Sequence, residues 1–342
     1  MGKAKSKKRR ILKSFLIAFG TIIIVVLALI GWIALRLFSG PDLMEISEFH
    51  PFRSEKLKEQ YLDLYETRAK EWPVASETKT VETSFGKTFV RISGPVGAPP
   101  LVLLPGGGSN SLLWIPNIEA LSKDFRTYAL DNIYDLGLSV YTQPFKSSEE
   151  FVKWLDELFT ILGLGDDINL MGLSYGGWIT SQYALSIPNR LDKVVLLAPA
   201  ATIVPFDSEF MKRMILSIMP FRYFFKKTIY WTWEDAVNKD ERSHRFVDKH
   251  VDITYLGLRS FKLKSPPNPT VLQDEELQSV QVPTLFLVGE NEKIYSAQEA
   301  VQRLNGTAPQ IKTEIIPNCG HDLTIVQTEM VNEKILQFLK QP

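Results

Sequence analysis

The sequence predicts an α/β fold: a mostly parallel, eight-stranded sheet with helices on both faces, interrupted by one helical insertion. Three observations point there. Short apolar runs of strand length alternate with helical patterns along most of the chain. The alternation stops between residues 199 and 280, where strand patterns vanish and aromatic residues and Met crowd together. Finally, 342 residues with 45% hydrophobic and 23% charged side chains suit one large domain carrying an insertion.

The first 13 residues hold Lys3, Lys5, Lys7, Lys8, Arg9, Arg10 and Lys13 and no acid. The remaining 32 basic side chains (39 less 7) face 39 acidic ones, so the rest of the chain is net −7. A mildly acidic body is not built to hold nucleic acid. The basic start is better explained by its neighbour, "SFLIAFGTIIIVVLALIGWIAL" (residues 14–35), 22 residues without a charge. As a helix it measures about 33 Å, enough to cross a bilayer core of roughly 30 Å. Trp32 and Arg36 stand where an amphipathic ring and a charge are tolerated at the interface. A cleavable signal peptide is the rival reading, but "LRLFSGPDL" offers no clear small-x-small cleavage site. The expectation is therefore a single transmembrane helix over 14–38, anchoring the chain in the lipid bilayer. The basic tail, 1–13, lies in the cytoplasm and everything after residue 38 outside. Cys319 is the only cysteine, so no intrachain disulfide forms. An exported chain without disulfides fits a bacterial surface.

Residues 39–76 read as a stalk with one amphipathic helix that either packs on the body or lies along the membrane, with Leu57, Tyr61, Leu64 and Tyr65 at helical spacing and Pro73 as a stop. "TKTVETS" and "KTFVRIS" flank Phe85-Gly86 and predict a hairpin. Six more strands follow: "LVLL" (101–104), "RTYAL" (126–130), "INLMG" (168–172), "KVVLL" (193–197), "TLFLV" (284–288) and "KTEII" (312–316). Between them, "SSEEFVKWLDELFTILGLG" predicts a helix that starts at a Ser147/Glu150 capping box and ends at Gly163 or Gly165. The core then occupies 77–201 and 279–342. Residues 202–278 form a helical cap over the carboxyl edge of the sheet, and part of its apolar content lines a pocket.

Chemistry concentrates at four places. "INLMGLSYGG" sets Ser174 between Gly172 and Gly176, where an apolar strand turns into a helix. That is the context a nucleophile on a strained turn requires. "LVLLPGGGSNSLLW" runs a strand into three glycines whose N–H groups can face an oxyanion. No Lys-Ser/Thr follows them, so a phosphate loop is a poor reading. The two donors are assigned to the N–H groups of Gly107 and Tyr175, with Gly108 as the substitute for the first. A serine needs a base, and imidazole titrates near neutrality. Of four histidines, His50 lies in the stalk segment and His244 and His250 in the cap; His321 follows the last strand, in "PNCGHDL". The acid that orients it is Glu290 or Glu292, just after "TLFLVG", and spacing alone does not separate them.

Together "LLPGGGSNSLLW", "YALDNIYDLGLS", "GLSYGG", "VPTLFLVGENEKIY" and "NCGHDL" resemble an α/β-hydrolase, similar to bacterial esterase-like and lipase-like members. The resemblance covers roughly residues 78–342. In that family the acid stands three residues after the glycine closing the seventh strand, which selects Glu292. Two departures stand out: the acid is commonly Asp, and Pro105 replaces the histidine that usually precedes the oxyanion glycines. The resemblance implies a Ser174–Glu292–His321 triad and an acyl-serine intermediate, with no cofactor and no metal. The aromatic-rich cap favours a small or lipid-like ester with an apolar group. Peptidase, thioesterase, carbon–carbon hydrolase and perhydrolase activities share the same machinery. A silent binding or sensory protein on this scaffold would carry a broken triad.

Overall fold

The computed structural model describes residues 48–262 and 266–341, together with positions 13, 19–21, 24 and 26. Residues from Ile46 onward form one compact unit, separate from Met1–Glu45. The expected membrane helix, 14–38, lies outside the described residues except for Phe19–Thr21, Ile24 and Val26, which are helical. Among the described residues no helix is long and apolar enough to cross a membrane.

The chain enters the body at α1 (Glu55–Ala69), capped by Ser54, whose hydroxyl accepts from the Leu57 N–H. Of the two placements open to this segment, on the body or along the membrane, the helix takes the first. Tyr61 and Tyr65 are buried, and Tyr61 stacks edge-on against Phe261 with centroids 4.8 Å apart. Burying such a ring is worth about 1.5–3 kcal/mol, more than a helix with two aromatics could forgo by standing free. The Tyr65 hydroxyl then donates to buried Asp131 at 3.0 Å.

Strands β1 (Ser76–Thr83) and β2 (Gly86–Ser93) form the antiparallel hairpin that the turn residues predict. Gly86 sits at φ 124°, and a Cβ there would lie 2.2 Å from the Val140 carbonyl oxygen. Then come β3 (Pro100–Leu104), the short α2 (Ile118–Leu121), β4 (Arg126–Leu130) and β5 (Val140–Tyr141). After α3 (Ser148–Leu162) follow β6 (Ile168–Leu173), α4 (Tyr175–Ser186) and β7 (Leu191–Leu197). The capping box at Ser147 and Glu150 starts α3, and Gly163, at φ 69°, ends it. Between β7 and β8 (Thr284–Gly289) lie α5 (Ser208–Ser217), α6 (Arg222–Thr232), α7 (Glu234–Lys239), α8 (Glu241–Ser260) and α9 (Asp274–Gln278). The chain closes with α10 (Ala297–Thr307), β9 (Lys312–Ile316), α11 (Leu323–Val326) and α12 (Thr328–Leu339).

The sheet runs β1-β2-β4-β3-β6-β7-β8-β9, with β5 paired antiparallel to β2. It holds nine strands among the described residues, not eight, and is mixed: parallel from β4 through β9, antiparallel at the β1–β2 end. The extra strand is two residues long, too short to show a period of two. The middle strands β6 and β8 are buried along their whole length, so they read as unbroken apolar runs. Because β3, β6, β7, β8 and β9 are parallel, their carboxyl ends share one edge. The residues after β3, β6, β8 and β9 are the glycine loop, Ser174, Glu292 and His321.

Candidate active site

The turn after β6 holds together only without side chains on its flanks. A Cβ on Gly172 would fall 2.2 Å from the Gly176 carbonyl oxygen, and one on Gly176 2.4 Å from the Leu104 carbonyl oxygen. Between them Ser174 adopts φ 53° and ψ −117°. Such a backbone costs a non-glycine residue about 1–3 kcal/mol and persists only where its surroundings enforce it. Here they do. The Ser174 N–H donates to Leu197 of β7 at 2.9 Å, and its carbonyl accepts from Trp178 and from Ala200, each at 3.0 Å.

The glycine loop after β3 closes on this serine. A Cβ on Gly106 would meet the Ser174 Cβ at 3.3 Å, and one on Gly107 would meet the Tyr175 Cβ at 3.5 Å. The N–H of Gly108, the substitute donor, is committed to Asp135 Oδ2 at 2.8 Å. Its carbonyl accepts from the Thr254 hydroxyl of α8 at 2.9 Å, so a cap helix pins the loop from the other side. Among the described residues the N–H groups of Gly107 and Tyr175 have no acceptor.

His321 is buried in the loop after β9, with Nδ1 2.8 Å from Glu292 Oε2. A carboxylate only accepts, so the shared proton sits on Nδ1, which leaves Nε2 with a lone pair. The Glu292 side chain is fully buried. Its other oxygen, Oε1, accepts the N–H groups of Lys293 and Ile294, each at 2.9 Å. Glu290 instead accepts the Asn318 N–H at 3.1 Å on the surface. Of the two glutamates, the one facing His321 is therefore Glu292. Burial would lower the His321 pKa, but the Glu292 charge and hydrogen bond, with Asp322 behind them, hold it above its ordinary value.

Two carboxylates that the sequence did not single out brace the site. Asp135 is pushed up to about 7 by burial, against the backbone N–H groups of Leu136 and Gly108 that favour its charge. Asp322 is likewise pushed up to about 6 by burial. It accepts the Gly320 N–H at 3.0 Å and the Ala236 N–H of α7 at 2.6 Å, tying the histidine loop to the cap. A single acid in a loop carries no signal of this kind; for each of these, one of the N–H groups it holds comes from a distant part of the chain.

The cap also reaches the elbow. The Tyr175 hydroxyl donates to Pro267 at 2.8 Å, from the proline-rich stretch. The other histidines are engaged elsewhere: His50 with the Tyr141 carbonyl, His244 with Tyr230 and Val237. His250 stacks on Trp233 at 4.5 Å and is pushed down to about 3 by burial and by Arg68. Among the described residues no group of three His, Cys, Asp or Glu side chains is placed to hold a metal ion.

A strained serine turn and a buried acid–histidine pair at the carboxyl ends of the parallel strands of one sheet define a class, the alpha/beta hydrolases. The model of the alpha/beta hydrolase fold matches residues 99–327, and the chain belongs to that family. Two of its relatives over most of the chain are carboxylesterases. It is 35% identical over 280 residues to carboxylesterase YbfK of Bacillus subtilis, covering 82% of this chain and 93% of the relative. It is 34% identical to the carboxylesterase nap of the same species, covering 82% and 92%. The crystal structure of naproxen esterase from Bacillus subtilis superposes with a TM-score of 0.77 at 31% identity, over 84% of this chain and all of that one. The protein is a carboxylesterase-like hydrolase.

Proposed function

We propose that this hydrolase is a membrane-anchored carboxylesterase that cleaves small or lipid-like esters through an acyl-serine intermediate. The observation that carries the chemistry is the 2.8 Å pairing of Glu292 with His321 at the sheet edge that bears Ser174. His321 Nε2 takes the Ser174 proton as Oγ attacks the ester carbonyl. The tetrahedral oxyanion is bound by the N–H groups of Gly107 and Tyr175. Collapse breaks the bond to the alcohol, which leaves with the proton from His321. Water then repeats the attack on the acyl-serine, giving up a proton to His321 and releasing the acid. Glu292 stabilises the imidazolium formed in each half. An intact acid–histidine pair favours this over a silent binding protein, which has no use for a buried carboxylate on its histidine.

An apolar acyl or alcohol group is supported by the aromatic residues of the cap, and ester cleavage by the carboxylesterase relatives. Anchoring through residues 14–38, with the body outside a bacterial cell, is supported by 22 uncharged residues next to seven positive charges. A panel of p-nitrophenyl esters of rising chain length tests the first part. Hydrolysis favouring apolar acyl groups is expected, and no turnover of any ester would overturn it. Protease added to intact cells tests the second. Digestion of the body is expected; protection, or a mature chain beginning near residue 40, would contradict it.

A further inference from the structure

The exposed apolar surface of the body is concentrated in one place. Among the described residues of the 46–342 unit, ten large apolar side chains are exposed. Seven of these fall between residues 211 and 223. Met211, Met214, Ile215 and Ile218 recur at helical spacing, so they form one outward stripe along α5 and its C-cap, and Phe221 and Tyr223 extend it onto the start of α6. Ile215 is 65% and Tyr223 62% exposed. The other three, Val96, Ile161 and Ile315, are scattered singly, as on any soluble surface.

The segment that carries the stripe holds charge of one sign, and its neighbours only partly offset it. Residues 210–233 contain Lys212, Arg213, Arg222, Lys226 and Lys227 and no acid. Arg213 pairs with Glu209, Arg222 with Asp252 and Lys226 with Asp248. Lys212 stands 4.0 Å from the same Glu209 that already serves Arg213, and Lys227 lies over the Tyr223 ring with no carboxylate partner among the described residues. Three carboxylates thus answer five cations, on a chain that is net acidic beyond its basic start. An apolar stripe rimmed by surplus positive charge fits an anionic lipid surface. A second copy of the chain is a poorer occupant, because a two-fold contact would bring two positive rims together.

The stripe is also rooted at the site. The Asp207 N–H at the base of α5 donates to the Ile294 carbonyl at 2.8 Å, two residues past Glu292. Trp231 of α6 lies between Arg213, at 4.5 Å, and Lys293, at 5.4 Å.

We propose that the α5–α6 hairpin docks onto an anionic lipid surface, so that the site draws its ester from the bilayer. This deepens the membrane-anchored esterase reading and rests on it. The test uses the full chain in vesicles of phosphatidylcholine with phosphatidylglycerol, and in phosphatidylcholine alone. The only native cysteine, Cys319, is buried, so Ile215→Cys can carry an environment-sensitive nitrobenzoxadiazole label, with Ile161→Cys as the control. The label at 215 is expected to shift to the blue and be quenched by brominated lipid, more so with anionic lipid, while that at 161 stays water-like. The double variant Ile215→Asp, Ile218→Asp should cut turnover of a long-chain ester held in vesicles about tenfold or more and leave a water-soluble acetate ester within about twofold. Water-like emission at 215 in both vesicles would overturn the proposal. So would a label that becomes buried with rising protein concentration and no lipid, which would mean a second copy. Alkaline carbonate extraction reads the anchor separately: release of a chain whose 215 label is still lipid-buried refutes the anchor and leaves the docking. A wild type that hydrolyses neither ester refutes the esterase reading while the label still reports docking.

Discussion

Replacing Glu292 by Gln tests the acid through geometry alone. The substitution keeps the shape and removes a charge, so its effect depends on which way the amide turns. In the native site Oε1 accepts two backbone N–H groups, from Lys293 and Ile294, and Oε2 faces His321. If the amide nitrogen took the Oε1 place it would confront two donors, each left unsatisfied at a cost of about 1–3 kcal/mol. The oxygen therefore stays with the backbone and the NH₂ turns to His321. It can only donate, so the imidazole must accept at Nδ1 and carry its proton on Nε2, the tautomer that cannot take a proton from Ser174. A wrong tautomer in such a triad costs about 10⁴ in kcat, or about 5 kcal/mol of barrier. Loss of the Glu292 charge also lets the His321 pKa fall, so the acid limb of the residual kcat/KM profile moves to lower pH. The assay is p-nitrophenyl ester hydrolysis between pH 5 and 9, with Glu290→Gln alongside. Glu290 meets only the Asn318 N–H at the surface, and its variant should stay within about threefold of wild type, as surface changes usually do. A Glu292→Gln enzyme within tenfold of wild type, or a worse Glu290→Gln enzyme, would refute the reasoning.

Two further perturbations probe what holds the site. Gly176→Ala forces a Cβ to 2.4 Å from backbone at Leu104, with no flexible side chain to yield; the melting temperature should fall by several degrees or the protein fail to accumulate, and an unchanged melting curve would contradict the close approach. Asp322→Asn leaves one acceptor oxygen for the Ala236 and Gly320 N–H groups, so one goes unsatisfied at a cost of about 1–3 kcal/mol. Because Asp322 is held at about 6, above the ordinary carboxylate value, the folded state keeps its proton longer than the unfolded one. Its share of stability is present in acid and lost as pH rises towards and through 6, and thermal melts of the Asn variant should lack that slope. The acid limb of its kcat/KM profile should also move to lower pH, since the Asp322 charge helps hold the His321 proton; a limb that stays put would leave Asp322 a purely structural clamp.

What the sequence makes legible is whatever repeats locally. Strands such as β6 and β8 are buried on both faces, so their composition alone marks them. The turn around Ser174 is legible because two glycines are the only residues that fit there. Other features depend on partners far along the chain. The helix α1 reads as an amphipathic segment with its docking surface left open, since the ring that Tyr61 meets is Phe261, 200 residues away. Strand β5 is too short for a pattern. The choice between Glu290 and Glu292 rests on resemblance rather than spacing, because two acids two positions apart look alike until the Lys293 and Ile294 N–H groups fold back on one of them. Asp135 and Asp322 lie within motifs that mark the fold, but nothing there assigns them a role; their partners, Gly108 and Ala236, lie 27 and 86 residues away.

The central claim is that Ser174 is the attacking atom. Labelling with a fluorophosphonate, which reacts with an activated serine, tests it most directly when wild type and Ser174→Ala are compared at matched folding. Removing the nucleophile of such a triad costs on the order of 10⁶ in kcat. Alanine adds no bulk to the turn, so the fold should tolerate it. Wild type is expected to carry one probe, located by mass spectrometry on the peptide containing Ser174. The alanine variant should melt normally, take no probe and show ester hydrolysis at background. A folded Ser174→Ala protein that still labels, or keeps even about a tenth of the wild-type rate, would contradict the account.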